Sequence, residues 1–117
     1  MSLIEEVGKL GVNVEDALER FMNNASLYER MLKKLPSVLE NSPVMPCFES
    51  GDLEKALSNA HNIKGVVGNL SVDPLYEGYS GVVSLLREGK NDEAKALLEK
   101  TLESERPIVE CIKNYSE

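Results

Sequence analysis

From residue 14 to residue 112 the apolar side chains recur at intervals of three and four, and no useful stretch alternates apolar with polar. Spacing of this kind gathers apolar residues on one face of an α-helix, whereas alternation would mark a half-buried strand. The chain is therefore read as all-α. Residues 14–22 bring Val14, Ala17, Leu18, Phe21 and Met22 to one face. Asn13 precedes them as N-cap, with Glu15 and Asp16 in the first turn, where the helix dipole favours anions. Residues 25–40 repeat the pattern with Tyr28, Met31, Leu32, Leu35 and Leu39. Pro36 is expected to bend that helix or end its regular part. The stretch 41–51, punctuated by Pro43, Pro46 and Gly51, reads as the one extended loop.

Asp52 caps the next helix, whose inward set is Leu53, Ala56, Leu57, Ala60, Ile63, Val67 and Leu70. Asp73-Pro74 reads as an N-cap followed by proline at the first helical position. The helix after it carries Leu75, Tyr76, Tyr79, Val82, Val83 and Leu86, and Gly89 closes it. Gly78 and Gly81 are expected to bring this helix close to a neighbour. Asn91 opens the last helix, with Ala94, Leu97, Leu98, Thr101 and Leu102 inward. Pro107 is expected to kink or break it before Ile108, Val109 and Ile112. Short connections after residue 51 make successive helices antiparallel neighbours. The expected architecture is an antiparallel up-and-down four-helix bundle of 25–40, 52–70, 73–88 and 91–115, with short extra N-terminal helices at one end. No linker divides the chain, so residues 1–117 are read as a single domain.

Composition narrows the function. Lys and Arg number 13 against 20 Asp and Glu, a net charge of −7. Such a chain repels phosphate backbones and anionic lipid, so neither nucleic acid nor a membrane surface is expected as a partner. No apolar run approaches the roughly 20 residues needed to span a bilayer. The single histidine excludes catalysis by paired histidines and a His-rich metal site. Cys47, Cys111 and His61 supply three zinc ligands where four are needed, and they do not cluster in sequence. The N-terminus carries acids where a signal peptide would carry bases, so a cytoplasmic location with reduced thiols is expected. A monomer is expected because the pattern leaves no spare apolar face evident.

The informative face belongs to His61. At about 100° per residue it points roughly 120° away from the apolar direction of its helix. Gly65 and Gly68 follow at i+4 and i+7 on the same stripe, and Lys64, at i+3, sits on its border with the core. A mid-helix glycine costs about 0.5–1 kcal/mol relative to alanine. Two on an exposed stripe suit clearance, letting another molecule's backbone approach the imidazole. Lys64 would then place positive charge beside an anion such as a phosphoryl group. Each residue also has a plain reading: a solvated histidine, a surface lysine, and glycines that let two helices pack closely.

Ala60-His61-Asn62-Ile63-Lys64-Gly65-Val66-Val67-Gly68-Asn69-Leu70 resembles the signature of histidine phosphotransfer (HPt) domains, of the form A-H-x-[LI]-K-G-x-x-x-x-[LI]. Residues 11–35 resemble the first two helices of that family. Asp52, nine residues before the histidine, and the turn within 85–102 also match. The likeness covers most of residues 11–105. One departure is Ser71, where many members have glycine in the turn between helices.

The resemblance implies a phosphorelay intermediate. His61 would accept and donate a phosphoryl group through Nε2, Lys64 would neutralise phosphoryl oxygens, and Gly65 and Gly68 would admit the partner's loops. The implied partners are response regulator receiver domains and a sensor or hybrid histidine kinase. The chain would need no cofactor of its own, because the receiver domain brings Mg²⁺. A nucleotide-binding Gly-x-x-x-x-Gly-Lys-Ser/Thr run is absent, so kinase activity from ATP is not expected. That makes the chain a phosphohistidine carrier rather than a kinase. Two other readings stay open: a non-phosphorylated helical adaptor that binds a receiver or kinase domain, and an acidic carrier with a prosthetic group on serine. The second would want an Asp-Ser-Leu start, whereas Leu70-Ser71-Val72-Asp73 has the wrong order. The many glutamates read as solvated helix faces rather than a carboxylate active site.

Overall fold

A computed structural model describes residues 2–115 and contains seven helices, with no strand among the described residues. They are α1 (Leu3–Gly8), α2 (Val14–Arg20), α3 (Ala25–Asn41), α4 (Met45–Ser50), α5 (Leu53–Asn69), α6 (Asp73–Arg87) and α7 (Asn91–Asn114). Their starts follow from local chemistry. Ser2 opens α1 with a capping box: its hydroxyl accepts from the Glu5 amide, and the Glu5 carboxylate accepts from the Ser2 amide. The side chains of Asn13, Asn24 and Asp52 accept from amides three residues on and cap α2, α3 and α5. Helices α4 and α6 lack a side-chain cap but carry proline in the first turn, where a missing N–H costs nothing.

Several sequence expectations are corrected. The stretch 41–51 is not simply a loop, because it contains α4. Its punctuation marks the two helix ends instead: Pro46 sits in the first turn, and Gly51, with φ of +79°, is the left-handed C-cap. Asp73 is the first helical residue rather than the cap, and its carboxylate accepts from Asn13 Nδ2 at 3.3 Å. Neither Pro36 nor Pro107 ends its helix. Each removes one backbone hydrogen bond, and the apolar face continues past it: Leu39 packs half-buried against the core in α3, and Ile108 and Ile112 are buried in α7. Met22 is not inward but 89% exposed. Helix α2 stops at Arg20, and Met22 and Asn23 adopt positive φ, which breaks the helical period.

One apolar core draws on every helix, including Leu3, Ala17, Tyr28, Leu32, Cys47, Ala60, Leu75, Val82 and Leu98. Helix α6 packs along both α5 and α7, and α3 lies against α5 and α7. The α6–α7 seam is close because Gly78 faces Thr101 and Gly81 faces Leu97. An added Cβ at either position would collide with those side chains. In the same seam the Tyr79 hydroxyl donates to Glu105 at 2.6 Å. The buried Tyr28 hydroxyl donates to the Leu70 carbonyl at 2.7 Å, tying α3 to the end of α5. Among the described residues no helix is long and apolar enough to cross a membrane.

Candidate functional site

The exposed His61 stands mid-way along α5, on the side away from Ala60 and Ile63, which are buried. It lines a hollow of about 440 Å³ with Lys64, Gly65, Gly68 and Asn69 of the same helix. Asp16 and Arg20 of α2 form a second wall, and Asp73 and Tyr76 of α6 a third. The four residues singled out by spacing, His61, Lys64, Gly65 and Gly68, thus share one surface. Lys64 is half-buried, in keeping with a border position.

The two glycines of the stripe differ in their surroundings. A Cβ on Gly65 would meet nothing within 4 Å, so the space beside the imidazole is open. A Cβ on Gly68 would come 3.0 Å from ring carbons of Tyr76. Gly68 therefore lets the Tyr76 ring lie against α5. The two readings of the pair, clearance for a visitor and close helix packing, divide between its members.

The α5–α6 turn holds the second wall in place. Ser71 is 2% exposed and adopts φ of +55°, a left-handed conformation that costs a non-glycine residue about 1–2 kcal/mol. A glycine would be free of that cost here. In return the Ser71 hydroxyl donates to Asp16 Oδ2 at 2.6 Å. The same oxygen accepts from Arg20 Nε at 2.8 Å. These bonds, Ser71's foremost, hold the Asp16 carboxyl below its ordinary range, and Asp16 in turn raises Arg20. The Asn13 amide donates to the Ser71 carbonyl at 2.9 Å, so α2 is pinned to this turn from both ends of the Asn13–Asp16 segment.

None of Asp16, Arg20, Asn69, Asp73 and Tyr76 was read from the sequence as a site residue: Asp16 and Asp73 were read for helix starts, and Tyr76 as inward, whereas it is 41% exposed. Asp16 and Arg20 stand at i and i+4 and so announce a pair, but nothing local shows that α2 folds over α5. Ser71 was visible as a departure from a glycine position, and that was the available signal.

A second hollow, of about 650 Å³, adjoins the first and shares Arg20 and Asn69 with it. Its walls are mostly apolar: Phe21, Met31, Leu35, Val38, Val66 and Leu70, with Lys34 at the edge. The expectation that no apolar face is spare is corrected by this groove. Val38 and Val66 fall outside the inward sets, and the groove runs between α3 and α5, with Arg20 and Phe21 from the end of α2 at one side.

Among the described residues no group of three or more His, Cys, Asp or Glu side chains is placed to hold a metal ion. Comparison of the chain with family models, curated proteins and solved structures returned no match. The reading of the site rests on its own geometry and on the motif around His61.

Proposed function

We propose that the chain is a phosphorelay intermediate in which His61 accepts a phosphoryl group from a receiver-domain aspartate and passes it to another. The observation that carries this reading is the placing of an exposed imidazole, a lysine one turn on and an open glycine face in one hollow. In the neutral imidazole, Nδ1 keeps its proton and the Nε2 lone pair attacks phosphorus in line. The N–P bond forms, the P–O bond of the acyl phosphate breaks, and the electron pair leaves on the aspartate carboxylate. The return step runs through the same positions. Phosphoryl transfer needs positioning and charge neutralisation more than acid–base groups. Lys64 meets the phosphoryl oxygens, and Gly65 leaves room for the loops that carry the aspartate. Mg²⁺ belongs to the receiver and supplies the remaining charge. The apolar groove beside the hollow offers the receiver a seat, and a sensor or hybrid kinase stands upstream in the cytoplasm.

The finer architecture belongs to the same reading: residues 1–117 as one HPt-like domain, with α3, α5, α6 and α7 as an antiparallel up-and-down bundle. Facing pairs support it. Along the α6–α7 seam, Gly78 faces Thr101 and Gly81 faces Leu97, so residue numbers rise on one helix as they fall on the other. Gly68 and Tyr76 face each other close to a three-residue turn between α5 and α6.

The groove alone would equally serve a non-phosphorylated adaptor, so phosphate must decide. After incubation with a phosphorylated receiver and Mg²⁺, acid-labile, base-stable label is expected on His61 and none on a His61→Gln variant. Equal labelling of the variant would sink the assignment. Receiver binding without label on either protein would favour the adaptor. The carrier reading gains nothing from Ser71, whose hydroxyl is buried and bonded to Asp16.

A further inference from the structure

The charges around His61 are unevenly satisfied. Both acids of the hollow already accept hydrogen bonds from within the protein: Asp16 from Ser71 and Arg20, Asp73 from Asn13. The cations are not so engaged. Lys64 makes no hydrogen bond or ion pair among the described residues. Arg20 spends only Nε on Asp16, which leaves its two terminal nitrogens without a partner among those residues. Each acid thus spends its Oδ2 on donors of the protein, while Lys64 and the terminal nitrogens of Arg20 offer unspent donors to the hollow from two walls, the groups an anion requires.

Arg20 does not hang freely. Its guanidinium is fixed through Asp16 to the Ser71 hydroxyl, and Ser71 is buried in a strained turn. Strain of that kind persists only where the surroundings impose it. We infer that Arg20 is a second anion-binding cation of the His61 site, acting with Lys64 from a different wall, and that Ser71 and Asp16 are positioning residues that aim it. The inference rests on the phosphorelay reading and adds to it a residue outside the motif. The ligand is a tetrahedral phosphoryl group, free as inorganic phosphate or attached to His61. Guanidinium suits it because its planar fork can donate two parallel bonds to one phosphoryl group.

The test needs no receiver. Inorganic phosphate is titrated into the folded chain while the Arg20 Nε–H and Lys64 resonances are followed by NMR. In parallel, phosphoramidate phosphorylates His61 directly: its N–P bond breaks, ammonia leaves, and the new N–P bond forms at the imidazole. In the wild type both resonances should move with phosphate. Arg20→Ala, at an exposed side chain, should weaken phosphate binding and slow labelling by about tenfold, the loss of one charge-assisted contact. Arg20→Lys should recover part of this. Ser71→Gly removes the hydroxyl and the backbone strain together, so it keeps the fold. It should lower both readouts by about threefold, because Arg20 loses its anchor while Lys64 is untouched. A merely structural Arg20 would change melting temperature and leave phosphate affinity alone. Arg20→Ala within twofold of wild type in both readouts overturns the inference. So does a wild type that neither binds phosphate nor takes label. If a phosphorylated receiver fails to label His61 while the Arg20 effects appear, the relay reading falls and the anion site stands.

Discussion

Two glycine pairs share a spacing and have opposite fates. Gly78 and Gly81 on α6 look onto Thr101 and Leu97, and the space a Cβ would take is already filled. Gly65 and Gly68 on α5 look outward. Gly65 has nothing near it, and Gly68 meets only the Tyr76 ring. The spacing says that something comes close, and the facing residue says what. On α6 it is the chain itself. On α5 it is the chain again at Gly68, through Tyr76, while the space beside Gly65 stays open.

Substitution should separate the two. The largest effect is expected for Gly78→Ala. The added methyl strikes Thr101, so overpacking should cost about 1–3 kcal/mol even after the gain in helix propensity, measured by urea unfolding. An unchanged or stabilised variant would break the comparison. Gly65→Ala should do the reverse, stabilising the chain by about 0.5–1 kcal/mol, since the methyl enters open solvent. The same methyl should slow transfer from a phosphorylated receiver by about tenfold, because ~1.4 kcal/mol of misfit suffices for that. Stability gained without slower transfer would leave the open glycine without a visitor.

A subtler effect belongs to the sealed seam. Burial raises the Glu105 carboxyl above its ordinary range, a push that the Tyr79 hydrogen bond only partly offsets. A raised carboxyl favours the fold most below the usual carboxylate range and loses that contribution as pH rises through its own pKa. Glu105→Gln keeps an acceptor for Tyr79 and removes the titration. The melting temperature of wild type relative to the variant should therefore fall as pH rises above the usual carboxylate range, about 4.3 for glutamate. A constant difference would mean that Glu105 is ionised at no cost.

Much of the fold was legible because periodicity reports burial directly. Asn13 and Asp52 were read as caps and are caps, and Ala56, Ala60, Ile63 and Val67 were read as inward and are buried. Errors gathered where one residue type serves two ends. Proline and glycine in 41–51 punctuate a loop or bracket a short helix, and only tertiary packing chooses. Met22 failed because two successive positive φ angles at Met22 and Asn23 interrupt a period that assumes uniform backbone. At the site, His61, Lys64 and Gly65 could be grouped because they lie on one helix. Arg20 and Tyr76 could not, since their approach depends on how α2 and α6 pack over α5. Gly68 was half-legible: its face was evident, its neighbour was not.

The pinning of α2 at Ser71 has a consequence for motion. Ala17 is the one fully buried residue of this seven-residue helix. Val14 and Leu18 are only half-buried against the core, so α2 leans on its bonds to the turn and should be the site's least protected stretch in amide exchange, opening without the rest of the chain. An anion that grips Arg20 binds only the closed form. It should slow exchange across 14–20 and leave α5 exchange untouched, and the degree of protection should rise with its concentration. Occupancy of the histidine hollow would then be readable at a distance from the histidine, as the lifetime of a short helix.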